Sequence, residues 1–201
     1  MTTVTAPVPD ATRPAEAPGR PTAWWGIVCL IMTEGTIFAG LIAAYFFLRA
    51  SAHEWPIGGL EKPELKTTII FSLVLWGSSI PMVVAERAAK RGNGFRLRMG
   101  LMLSFFMGAA FLVHTAVDFD KLHFGWRTNA YGSIFYTTVG LHALHVFVGL
   151  AMSAVVQVKA WLGKLTPKKH TTVEVYALYW HFVDVVWVFV MPTFILSPHI
   201  R

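Results

Sequence analysis

The chain is predicted to be all-α: a polytopic membrane helix bundle of five transmembrane helices, N-terminus cytoplasmic and C-terminus external. Three observations predict it. Hydrophobic residues make up 55% of the 201 positions and charged ones 14%, with a mean hydropathy of +0.53, a balance that no ordinary soluble domain needs to fill its core. Those apolar residues gather into runs nearly free of charge, each long enough to cross a hydrocarbon layer about 30 Å thick as a helix. The Lys and Arg residues fall in the short segments between the runs, unequally on the two sides.

Residues 1–22, "MTTVTAPVPDATRPAEAPGRPT", come first; they are rich in Pro, Ala and Thr, lack an apolar signal-peptide core, and read as a disordered cytoplasmic tail. Residues 23–201 form the five-helix domain. Its runs are about Trp24 to Leu48, interrupted by Glu34, then Thr67 to Ala85, Met99 to Val117, Thr128 to Val158, and Val175 to Leu196 with Asp184 inside. The fourth exceeds what a bilayer needs, so its first few residues are assigned to the preceding loop. Pro81 and Pro192 are expected to bend their helices near the ends. No internal repeat is visible. A chain of this size leaves little room outside the membrane, which excludes catalysis in a separate soluble domain. The single cysteine, Cys29, can form neither an internal disulfide nor a Cys-based metal cage.

Eleven basic residues fall on one side: Arg13 and Arg20 in the tail, Arg87, Lys90, Arg91, Arg96 and Arg98 in the second loop, and Lys159, Lys164, Lys168 and Lys169 in the fourth. Six fall on the other: Arg49, Lys62, Lys66, Lys121, Arg127 and Arg201, partly offset by Glu54, Glu61, Glu64, Asp118 and Asp120. The excess faces the cytoplasm, which sets the orientation. It also accounts for the net charge of +6 without nucleic acid as a partner.

Polar groups in hydrocarbon are costly, and five of them converge on one depth. At about 1.5 Å per residue, Glu34 lies roughly 15 Å in, His181 and Asp184 roughly 14 and 18 Å, and His142 and His145, entering from the other side, roughly 17 and 21 Å. They are expected to face one another or a partner rather than lipid. His142 with His145, and His181 with Asp184, stand three residues apart, so each pair shares a helix face. Two imidazoles on one face could ligate a metal, and His142 opposite His181 could clamp a haem; the plainer assignment is hydrogen bonding between helices. Gly35, Gly40, Gly140 and Gly149 suit close helix approach. Trp24, Trp25, Trp55, Trp126, Tyr131 and Trp161 fall near the interfaces as an aromatic belt would, whereas Trp180 and Trp187 lie within the last span.

These residues resemble a known family, subunit III of the haem-copper respiratory oxidases. "YWHFVDVVWVFV" (Tyr179 to Val190) resembles the family's last helix, "AYGSIFYTTVGLHALHVFVGL" (Ala130 to Leu150) the one before it, and "TEGTIFAG" (Thr33 to Gly40) its glutamate-bearing helix. Trp55-Pro56 is similar to the Trp-Pro of the loop that follows. Five spans are similar to the short bacterial form, which lacks two N-terminal helices of longer members. One departure stands out: where many members have Gln-x-x-Glu and an aromatic, "HTAVDF" offers Thr115, Asp118 and Phe119. The resemblance implies no catalytic residue, metal or cofactor in this chain, with haem and copper in partner subunits. It implies contact with oxidase subunits I and II in a bacterial plasma membrane, phospholipids in a cleft between the first two helices and the rest, and support for proton uptake and oxygen access. Glu34, His142, His145, His181 and Asp184 would form the intramembrane polar network, and Trp55, Asp118, Tyr179, Trp180 and Trp187 structural or lipid-cleft positions. The expected activity is aerobic respiration with electrons from cytochrome c. A quinol oxidase subunit, a relative associated with nitric oxide reductase, and a free-standing proton or ion transporter are the alternatives.

Overall fold

A computed structural model describes residues 19–60, 62–167 and 170–200. The proposed tail up to residue 18, Glu61, Lys168, Lys169 and Arg201 lie outside the described residues. The apolar runs become α1 (Thr22–Ser51), α2 (Leu65–Gly77) with α3 (Ser79–Lys90), α4 (Gly94–Lys121), α5 (Ala130–Trp161) and α6 (Thr171–Met191). There is no strand among them. Five helical stretches are long and apolar enough to cross a membrane, α2 and α3 together making one. Each runs several residues beyond its charge-free stretch, because Lys and Arg can keep their stems on the helix while their charges reach water.

Helix ends follow local chemistry. Gly92, at φ +73°, closes α3 in the left-handed conformation, and the next amide, that of Asn93, returns to the carbonyl of Ala88 at 2.9 Å. The Asn93 side chain then caps α4 by accepting from the Arg96 amide. Asn129 caps α5 through the Gly132 amide, and its own amide group donates to the carbonyl of Ile57, fixing the loop after α1.

In the fourth run only Thr128 and Asn129 belong to the loop; the helix of 32 residues spends its excess at the other end, continuing to Trp161. Pro81 stands in the first turn of α3, and the second span breaks at Ser78, near the middle of Leu65–Lys90, because proline has no N–H to offer the carbonyl four residues back. Pro192 has a related effect where α6 gives way to a wider π turn over Pro192–Leu196.

The break exposes Ser78 and Ser79 to the last helix. α6 is the centre of the bundle, packed against α1, both halves of the second span, and α5. Its Trp180 ring lies in a slot between α4 and α5 that exists because Gly108 and Gly149 have no side chain: a β-carbon there would meet the ring at 2.5 and 2.8 Å. By contrast α1 packs chiefly along α5 and α6, through Ile27, Phe38 and Tyr45, residues spaced 11 and 7 apart on one stripe. At its far end Arg49 donates to Ser197 Oγ (2.6 Å) and the carbonyl of Ile200 (2.8 Å), tying α1 to the final turn. The loops richest in Lys and Arg share the opposite end, where Lys90 bridges Glu86 and Glu174 at 2.7 and 3.1 Å.

The second span lies along α4 and α6, so the first two helices do not stand apart from the other three. Among the described residues the cleft expected between them and the rest is therefore not formed.

Candidate functional site

The five mid-depth residues make three separate joints. The first links α1 to α5. Nδ1 of His145 lies 2.8 Å from the carbonyl of Leu141, one turn earlier on its own helix, so that nitrogen carries a proton and donates. Nε2 faces Glu34 Oε2 at 3.3 Å. With Nδ1–H committed, a bond across that gap requires one further proton, carried either by the carboxyl or by the second imidazole nitrogen. The edge of Phe38 covers the imidazole, with ring centres 5.2 Å apart, and Tyr179 donates its hydroxyl to the carbonyl of His145 at 3.1 Å.

The second joint links α3 to α6 and centres on Ser79. Its hydroxyl donates to Asp184 Oδ2 and lies 2.9 Å from Nδ1 of His181. A hydroxyl has one proton, so with it directed at the carboxylate His181 must donate through Nδ1–H. Asp184 is buried, and its Oδ1 has no hydrogen-bond partner among the described residues.

The third joint is His142, buried between α4, α5 and α6. Its Nε2 donates to the carbonyl of Val183 at 3.3 Å, and its ring tilts over Trp187 with centres 4.5 Å apart. His142 and His181 are engaged on different sides of α6, which does not bring them to a common ligand position. Among the described residues no group of three or more His, Cys, Asp or Glu is gathered that could hold a metal ion.

The chain's last helix carries Trp180, His181, Asp184 and Trp187 within the segment whose pattern is so distinctive. A family model described as cytochrome c oxidase subunit III matches residues 20–196, which include α1 to α6. The chain belongs to that family. It is 35% identical to cytochrome c oxidase subunit 3 of Thermostichus vulcanus over 164 residues, 81% of each chain. It is 36% identical to a probable cytochrome c oxidase subunit 3 of Nocardia farcinica, covering 81% of this chain and 82% of the relative. For the subunit 3 of Synechocystis the figure is 33%, covering 82% and 71%.

The remaining positions singled out in this member of the subunit III family have mostly structural partners. Trp180 N–H donates to Ser78 Oγ and Trp187 N–H to Ser72 Oγ, both at 2.8 Å, so the two indoles face helices and not lipid. Trp55 donates to the Tyr45 hydroxyl at 2.8 Å and meets Tyr131 edge to face. Asp118 Oδ2 lies 3.2 Å from Nδ1 of His114, and its Oδ1 lies 3.8 Å from the Lys121 ammonium. Sequence reasoning missed Ser72, Ser78, Ser79 and His114. The serines carried a signal: "GSSIP" is a cluster of small and polar residues in an apolar span, just ahead of a proline.

Proposed function

We propose that the chain is the accessory, non-redox subunit III of a proton-pumping terminal oxidase that reduces oxygen to water with electrons from cytochrome c. In this reading it lies in the plasma membrane of a bacterium against subunits I and II, which hold the haem and copper. It supports proton uptake, oxygen access, lipid binding and the stability of the catalytic subunit. Membership of the subunit III family carries the proposal. The joints give it a physical basis, since the Glu34–His145 contact and the hydrogen bonds of His181, Asp184 and His142 run from helix to helix. The test is to isolate the complex through an affinity tag on this chain. Subunits I and II with haem and copper should copurify, and a complex stripped of the chain should start at normal oxygen consumption and lose it over repeated turnover. A tagged chain that brings down neither metal-bearing subunit would overturn the reading.

The orientation belongs to the same proposal and rests on eleven basic residues against six. A reporter fused after Arg201 should be external and one inserted near Asn93 internal. The opposite pattern would reverse the bundle.

A further inference from the structure

Where α2 begins and α4 ends, the helices part around a cavity of about 470 Å³, a size usual for small-molecule sites. Four aromatic rings line it: Phe111, Phe119, Phe135 and Trp187. The Trp187 N–H is spent on Ser72, so these rings bring no free hydrogen-bonding group to the cavity. Asp118 is engaged as well, with Oδ2 at 3.2 Å from His114 Nδ1 and Oδ1 at 3.8 Å from the Lys121 ammonium. The other ring nitrogen of His114 is left over. Its side chain is 8% exposed, and Nε2 is buried with no hydrogen-bond partner among the described residues.

A buried ring nitrogen without a partner is costly, and aromatic surroundings offer a water few of the further partners it needs. With Nδ1 turned to a carboxylate, Nε2 is a bare acceptor in the neutral imidazole and a donor in the protonated one. A quinol meets the first through its hydroxyl, and a quinone meets the second through its carbonyl, with the same ring in the same place. A flat ring also suits a cavity walled by aromatic side chains. His114 lines a second hollow too, of about 580 Å³, on the outer surface between α2 and α4. Phe106 and Val113, in its walls, are 61% and 64% exposed within a membrane-spanning helix, so this hollow opens to lipid. The unpaired nitrogen thus belongs to a residue reached from the membrane side, which favours a ligand with an apolar tail.

We propose that the cavity is a binding site for an isoprenoid quinol or quinone. One ring oxygen bonds to His114 Nε2, the ring lies among Phe111, Phe119, Phe135 and Trp187, and the tail leaves past His114 through the outer hollow. The site binds the molecule without passing electrons to this chain. It is independent of which donor feeds the oxidase, and of whether the chain works in one.

The probe is a decyl-tailed benzoquinone with a photoreactive azide on its ring, added to the full chain in phosphatidylcholine nanodiscs. Labelling should map to α4 from Phe111 to Phe119 and to Trp187. Unlabelled decyl quinone and its quinol should both displace the probe, whereas the tail-free quinone and phosphatidylethanolamine should not. The dimethyl ether of the quinol keeps ring and tail but has neither hydroxyl nor carbonyl, and it should compete about tenfold less well than the quinol, the loss expected for one buried hydrogen bond. His114→Leu should abolish that difference, so that quinol and ether compete equally. Should that variant fail to fold, Leu122→Trp, a change at a partly exposed position of the cavity lining, should block labelling while leaving His114 in place. Quinol and ether competing equally on the unaltered chain would remove His114 from the site. Displacement by the tail-free quinone would make the ligand a soluble one, and displacement by phosphatidylethanolamine would reduce the site to a lipid contact. Any of these results overturns the proposal, as does labelling unchanged in Leu122→Trp.

Discussion

The first and last membrane helices are similarly apolar, yet they are held in opposite ways. α1 buries three residues over its length, and its single deep carboxyl group, Glu34, relies on one histidine. α6 buries eleven, and four of its side chains bond to one neighbour: Trp180, His181, Asp184 and Trp187 all find serines of the second span. In lipid, where apolar contact alone gives little preference for a neighbouring helix over a lipid tail, small residues and hydrogen bonds decide adhesion. Hydropathy therefore says that both helices enter the membrane and nothing about how firmly each is attached.

Substitutions can break this comparison or sharpen it. Trp180→Ala should show the largest effect, about 3–5 kcal/mol in unfolding by steric trapping in bicelles, because it empties the slot between Gly108 and Gly149 and strands Ser78. A loss below that of any α1 variant would show that α6 is not the anchor. Asp184→Ala comes next. Without the carboxylate the Ser79 hydroxyl loses its acceptor, at about 1–3 kcal/mol, while Asp184→Asn should retain most of that bond. Retention of the chain in the purified complex should follow the same order, and Ala behaving like wild type would dispose of the joint.

For α1 the effects should be smaller. A double-mutant cycle on Glu34→Gln and His145→Ala should return a coupling of about 0.6 kcal/mol, the usual worth of an interhelical hydrogen bond in a membrane protein. A coupling as large as the Asp184 loss would erase the contrast between the helices. The smallest change is expected for Phe47→Ala. This side chain is 72% exposed, and its removal should alter the stability of the isolated chain by no more than about 0.5 kcal/mol. A larger loss would mean that α1 has a packing partner on that face.

The five spans were legible because charge-free length is a one-dimensional property. The depth of the polar residues was legible for the same reason, but rotation was not. His142 and His145 differ by three positions, about 60° around the helix, enough to send one toward α6 and the other toward α1. Depth alone grouped them. Ser72, Ser78 and Ser79 escaped notice because serine is cheap to place in a helix, and only the tertiary position of the Pro81 break reveals what these hydroxyls face. The expected cleft failed for a related reason: which helices adhere depends on features such as Gly108 and Gly149, whose importance is the side chain they lack.

The slot between those two glycines has a bearing on synthesis. The ring that fills it lies on α6, which is made after the other described α-helices, and so do the donors that satisfy the serines of the second span. Until that segment arrives, a nascent chain has all its earlier helices but an open seam, with hydroxyls and backbone facing lipid. The seam is thereby closed only once α6 has been made. A chain that stopped before α6 would leave Ser72, Ser78 and Ser79 without those partners.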